Sequence, residues 1–264
     1  MMKILIRYYI YCFIPLFFCC KHQSVSKNIG KKEFKKKFQI WNAKTSDGWE
    51  ETHRTEFVYT GNLLTEEISK KVMTKDSSLF LTRMYHVYDK NDRNISTVRE
   101  RWNHDQWELI VKSDFHFKDD LIIKRYDSIV SNNRVSMNFT DYVYDDKNVL
   151  LSEVTKTVTD SIQTNLNKIT YHYDHRRLAI EKEFPVWIDD KWINARKMIL
   201  TYNDSGQHIQ TTRYNWQNNM WRENIHYEME VDDDGKRKNE LWHRVNEKNE
   251  RAPFMKIIYE YCPS

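Results

Sequence analysis

Six tryptophans form three pairs spaced five residues apart: Trp102 with Trp107, Trp187 with Trp192 and Trp216 with Trp221. Between the partners lie Asn103-His104-Asp105-Gln106, Ile188-Asp189-Asp190-Lys191 and Gln217-Asn218-Asn219-Met220, each carrying turn-forming Asn or Asp in its middle. Two chemistries suit such pairs. Indole rings facing each other across a hairpin end stabilise it by roughly 0.5–1.5 kcal/mol beyond burial, and rings near loop tips offer flat apolar platforms to a sugar or a partner protein. These six residues are the candidate ligand-binding set.

Other groups that could do chemistry resolve more simply. Among ten histidines the tightest cluster is His172-Tyr173-Asp174-His175, and no third ligand recurs at a useful spacing, so these read as structural or solvent-exposed histidines rather than a metal site. Asp232-Asp233-Asp234-Gly235 matches a fragment of a calcium loop but lacks the distal bidentate glutamate, which leaves a β-turn. The sequence has no glycine-rich phosphate loop, Gly-x-Ser-x-Gly elbow or His-Glu-x-x-His element. Carboxylates stand in almost every turn, so a glycan hydrolase using two of them is the enzyme alternative. A catalytic constellation is a unique break in a repeat, however, and no unit here carries one. The expectation is a non-catalytic protein without metal or cofactor.

These residues are positioned by a repeat. An aromatic residue or valine followed by a turn recurs at Tyr59, Tyr88, Phe117, Tyr144, Tyr173, Tyr202, Val231 and Tyr261, in steps of 27 to 30 residues. Trp49, Trp107, Trp192 and Trp221 each stand 10 residues before such an anchor. Residues two before the anchors are again mostly aromatic or aliphatic, as in Phe115, Tyr142, Tyr171, Leu200 and Tyr259, the period of a strand with one buried face. Two turns per unit imply two strands. The predicted fold is therefore all-β: an antiparallel meander of about eight hairpin units over residues 38–264, with a period of about 29 residues, forming a curled sheet or solenoid-like stack.

The N-terminus reads as an address. Lys3 and Arg7 lead into the apolar run Tyr8–Phe18 and then Cys19-Cys20, the outline of a secretion leader (residues 1–20) with one of the two cysteines as a lipidation candidate. Cys262 is the only cysteine after that leader, which excludes a disulfide framework. Residues 21–37 hold seven lysines against Glu33 and read as a basic tether that favours anionic headgroups. The leader and tether together carry plus eight, so a formal net charge of plus four leaves residues 38–264 at minus four. Nucleic-acid binding is thereby disfavoured. The expected location is the cell envelope, as an outer-membrane or periplasmic lipoprotein.

The pattern Trp-x4-Trp-x7-aliphatic-x-Tyr-Asx, as in Trp187, Trp192, Leu200, Tyr202 and Asn203, together with Tyr88-Asp89, Tyr144-Asp145 and Tyr173-Asp174, resembles the tyrosine-aspartate repeat proteins exported by Bacteroidetes. More distantly it is similar to the Rhs class, which implies a coiled β-shell; eight short units without a toxin domain are too few to enclose cargo. The resemblance also implies O-glycosylation sites at Asp127-Ser128-Ile129 and Asp160-Ser161-Ile162. Taken together, the reading is an envelope scaffold that binds an extended glycan or an envelope protein, with a purely structural envelope protein as a further alternative.

Overall fold

The computed structural model describes residues 35–262 apart from 75, 132–133 and 160–161. Sixteen strands follow one another. The first four are β1 (Lys36–Thr45), β2 (Gly48–Thr60), β3 (Leu63–Thr74) and β4 (Ser77–Tyr88). Next come β5 (Asn94–Asn103), β6 (Gln106–Lys118), β7 (Leu121–Ser131) and β8 (Arg134–Tyr144). They continue as β9 (Leu150–Thr159), β10 (Ile162–Tyr173), β11 (Ala179–Ile188) and β12 (Lys191–Tyr202). The last are β13 (His208–Gln217), β14 (Met220–Val231), β15 (Arg237–Val245) and β16 (Arg251–Tyr261).

Each strand pairs antiparallel with its neighbours in sequence, and β1 pairs with β16, so the sheet is a closed barrel. This overturns the open curled sheet or solenoid expected from the repeat. The reason is physical: an open meander leaves two long unpaired edges, and closure removes both. A meander with an even number of strands brings its first and last strands together antiparallel. Here the seam joins Gln39 to Tyr259, Trp41 to Ile257 and Ala43 to Met255. Closure also draws Lys36 and Lys37, assigned to the tether from sequence, into β1.

Curvature is written beside the anchors. The register shifts between Val87 and Tyr88, where Ile95 is the extra residue on the partner strand, and the same shift occurs at Val143/Tyr144, His172/Tyr173, Thr201/Tyr202 and Glu230/Val231. β-Bulges bend strands and increase their twist, which a closing sheet requires. Most of the buried residues, including Phe115, Thr140, Tyr142, Thr211, Met229, Trp242 and Tyr259, share the anchors' face. Side chains converge on the concave side of a barrel, so this crowded face is the inner wall. The largest apolar cluster, Tyr227, Met229, Trp242, Ile257 and Tyr259, comes wholly from the adjacent strands β14–β16. It lines one wall of the barrel.

Candidate functional site

The turns alternate between two rims of different construction. At the tyrosine rim, Asp145 Oδ1 accepts hydrogen bonds from the backbone N–H of Lys147 (2.9 Å) and Val149 (2.7 Å), and Asn246 Oδ1 does the same for Lys248 (2.9 Å) and Glu250 (3.0 Å) at the opposite rim. The third residue after such an Asx is left-handed, as at Asn148 (φ 62°), Gly206 (φ 75°) and Gly235 (φ 84°). Anchor hydroxyls then stitch neighbouring turns together: Tyr88 donates to the Leu64 carbonyl (2.7 Å), Tyr144 to Ile122 (2.9 Å), Tyr173 to Leu150 (2.7 Å) and Tyr261 to Arg237 (2.7 Å). Tyrosine followed by Asx thus has a structural task at each position: one side chain joins turns and the next shapes its own turn.

The tryptophan rim uses tighter hairpins. His104-Asp105, Asp189-Asp190 and Asn218-Asn219 all have positive φ at both residues, the two-residue turn whose twist matches the strands. Directly below, Trp102/Trp107, Trp187/Trp192 and Trp216/Trp221 face each other across the ladder with ring centroids 5.0 Å apart and interplanar angles of 67–69°. All three pairs lie half-buried on the outer wall. Phe80 extends the first pair, 5.4 Å from Trp102, and Lys197 sits 5.2 Å over the Trp221 ring. Beside Trp221 is an open hollow of about 510 Å³ lined by Tyr214, Met220, Glu223, Asn249 and Arg251, with Arg251 paired to Glu223 at 2.9 Å. The geometry brings Trp216 and Trp221 to this hollow's hairpin; the other two pairs stand on separate hairpins of the same rim.

Between the rims the outer wall is charged. Lys112–Asp114 (3.1 Å), Lys124–Asp141 (3.3 Å), Lys156–Asp141 (3.4 Å) and Lys197–Glu181 (3.5 Å) run across it, interleaved with Tyr126 and Phe139. A Lys or Arg facing lipid at mid-depth costs about 2–4 kcal/mol in a transmembrane barrel; the same wall also exposes Val58, Val87, Leu109 and Val143.

The inner wall carries polar networks. Arg125 bonds Asp127 (3.0 Å) and Thr140 (3.1 Å), Ser113 donates to Asp127 (2.6 Å), and Thr140 meets Thr155 (2.9 Å). At the seam, Glu240 accepts from Arg237 (2.6 Å), the Trp242 indole (2.8 Å) and the Tyr259 hydroxyl (2.7 Å). Burial, with Glu240 beside it, pushes the Tyr259 phenol far above its ordinary value. Tyr171 donates to Glu153, and burial followed by that carboxylate raises it strongly as well. His208, whose Nε2 lies 2.7 Å from Thr211 Oγ1, is pulled down to about 4 by burial and by the charge of Arg237.

The remaining sequence candidates fall as follows. His172 is exposed on the outer wall, 3.5 Å from Glu183, and His175 sits in a tyrosine-rim turn. Among the described residues no three His, Cys, Asp or Glu side chains converge as a metal site would require. Cys19, Cys20, Asp160 and Ser161 lie outside the described residues. Ser128 is in β7 facing Met137, whereas its neighbour Asp127 is buried in the inner network. Sequence reasoning missed Tyr214, Glu223 and Arg251, because only the turn between β15 and β16 carries Arg251 to Glu223.

A closed antiparallel meander of sixteen strands defines the class of this fold. No protein-family model matches the chain, and no curated protein matches it in sequence. A porin-like protein from Bacteroides uniformis has a similar crystal structure, with a TM-score of 0.55 at 9% identity over 88% of this chain and 98% of that one. A porin-like protein from Bacteroides vulgatus aligns over 73% of this chain and 96% of its own, at 14% identity and a TM-score of 0.40. A Bacteroides fragilis protein with unknown function covers 48% of this chain and 94% of its own, at 11% identity and a TM-score of 0.41.

Proposed function

We propose that this barrel is a non-catalytic, water-facing scaffold of the cell envelope that binds an extended glycan at its tryptophan rim. The observation that carries the reading is the set of three indole pairs on the outer wall at one rim, with the hollow beside Trp221 supplying Tyr214, Glu223 and Arg251 around an aromatic face. Aromatic faces flanked by planar polar groups suit sugar rings, which present apolar faces edged with hydroxyls. The charged outer wall supports a barrel standing in water rather than one spanning lipid.

Export and lipid attachment at Cys19 or Cys20 belong to the same proposal, as does kinship with tyrosine-aspartate repeat proteins. The described chain enters the barrel at the tyrosine rim, where Lys35 Nζ bonds the Gly61 carbonyl (2.6 Å). A tether leading there would hold that rim toward the membrane and leave the tryptophan rim facing outward.

Binding of the full-length chain to a glycan array, read by tryptophan fluorescence, tests the reading. Each of Trp187→Ala, Trp192→Ala, Trp216→Ala and Trp221→Ala should lower affinity by a partial step while the circular dichroism spectrum stays that of a β-protein. Release of sugar products would replace the scaffold with a hydrolase, and binding to an envelope protein alone would make the partner a protein.

A further inference from the structure

The barrel wall parts where the last two hairpins meet at the tryptophan rim. β13 and β14 stay paired to their tip, through Gln217 and Met220, whereas the β14–β15 ladder ends at Ile225 and Arg244. Met220 to Asn224 therefore run on without a ladder partner on their β15 side among the described residues. The β15–β16 hairpin leans across this notch, since Arg251 at the start of β16 reaches Glu223.

A second hollow, of about 430 Å³, lies in the notch beside the one at Trp221. The two share Arg222, Glu223, Glu247 and Asn249, so they form one trough. Its ends differ in chemistry. Tyr214, Met220 and Trp221 line one end, and the amides of Gln217 and Asn218 line the other. In the shared middle Arg222 and Arg251 offset Glu223 and Glu247, which leaves the lining close to neutral. Lys197, which lies over the rings of Tyr214 (5.6 Å) and Trp221 (5.2 Å), stands outside the lining and is paired with Glu181 at 3.5 Å. Glu223 sits where the ends meet. Arg251 Nε (3.0 Å) and Nη2 (2.9 Å) both engage its Oε1, so Oε2 makes no hydrogen bond among the described residues and is left to accept from a ligand.

We propose that this trough binds a neutral hexose oligosaccharide, with one sugar ring against Tyr214 and Trp221, adjacent hydroxyls donating to Glu223 Oε2, and the next ring among the amides of Gln217 and Asn218. The inference rests on the glycan-binding reading above and deepens it by naming the charge of the glycan and adding the amide end as a second subsite. A uronic acid would face Glu223 and Glu247 while Arg251 is already neutralised, and like charges brought together are unfavourable. An added peptide strand fits less well. The register slips at Asn224, and a bulge breaks the even row of donors and acceptors that strand addition uses.

The probes for the full-length chain are neutral gluco-, manno- and galacto-hexaoses, their disaccharides, and the uronic-acid form of each hexaose. One neutral hexaose should bind saturably, with little dependence on salt, and about tenfold tighter than its uronic-acid form. Glu223→Gln should lower that affinity about tenfold, the size of one hydrogen bond to a charged acceptor, and should improve binding of the uronic-acid form because Arg251 is released from its partner. Asn218→Gly suits the left-handed turn (φ 50°) and should weaken the hexaose while leaving the disaccharide unchanged. Asn218 is exposed, so that variant decides the amide end even if Glu223→Gln lowers the melting temperature. Hexaose binding that falls with Trp221→Ala but ignores both trough variants overturns the trough while sparing the rim reading. Tighter binding of a uronic-acid form, or binding of array glycans with none of these neutral probes among the ligands, overturns the neutral assignment alone. Absence of all glycan binding overturns both readings.

Discussion

The two rims are made from the same hairpins yet use their repeated residues in opposite directions. At the tyrosine rim the tyrosine anchors reach outward to a neighbouring turn, as Tyr173 does to the Leu150 carbonyl, while Phe117 and Val231 have no hydroxyl to do so. At the tryptophan rim each indole turns to its partner on the same hairpin, as Trp187 does to Trp192. The joining tyrosine recurs in most units, with Phe117 and Val231 in its place in two, whereas the indole pair within a hairpin occurs in three. Exposed apolar residues stand at both rims: Met73, Leu79, Val135, Ile162, Ile188 and Met220 near the tryptophan rim, and Val58, Val87, Ile123, Val143 and Leu151 near the tyrosine rim. The tyrosine rim is therefore the girdle of the barrel, and the tryptophan rim is the end that the proposed function gives to a ligand.

The largest effect should come from breaking the girdle. Tyr173→Ala removes a half-buried ring, its stacking on Tyr171 and the bond to Leu150, and should destabilise the barrel by about 2–3 kcal/mol in urea unfolding. Trp192→Ala loses about 0.5–1.5 kcal/mol of ring pairing together with the partial burial of one indole, but no bond between turns. Equal losses would erase the distinction between the rims.

A second effect of comparable size is set by pH and also lies at the tyrosine rim. His208 titrates near 4 when folded against an ordinary 6.5, so it is held neutral and the unfolded chain takes up the proton first. Its contribution is complete above pH 6.5 and is lost as pH falls from there to 4, by about 2–3 kcal/mol. His208→Gln should flatten that part of the stability profile, measured as the difference between the two proteins at pH 7 and pH 4.

Smaller still is the turn cap. Asp145→Ala leaves the amides of Lys147 and Val149 without their acceptor and should cost about 1–2 kcal/mol, with Asp145→Asn recovering most of it. Recovery distinguishes hydrogen bonding from charge.

Much of this was legible in the sequence because the relevant interactions are local. Asp145 and Asn203 act within five residues of themselves, and the Trp pairs sit directly across two-residue turns, so spacing alone places them. Closure was not legible: Trp41 meets Ile257 across nearly the whole chain, and no local pattern distinguishes a ring from a spiral. The face of Arg222 was hidden by a bulge. The register slips between Arg213 and Tyr214, so plain alternation counted back from the anchor at Val231 puts Arg222 on the outer wall, although it faces Asn215 beside Arg213.

Closure of the ring is the claim on which the account of both rims depends, and a cross-link over the seam tests it most directly. With Cys12, Cys19, Cys20 and Cys262 changed to serine, Phe38→Cys and Glu260→Cys occupy facing positions on β1 and β16. Mild oxidation of the folded protein should join them in nearly every molecule without altering the circular dichroism spectrum, and mass spectrometry of the digest should find the linked peptides. Free thiols at both positions in folded, oxidised protein, or links only between different molecules, would contradict the closed barrel.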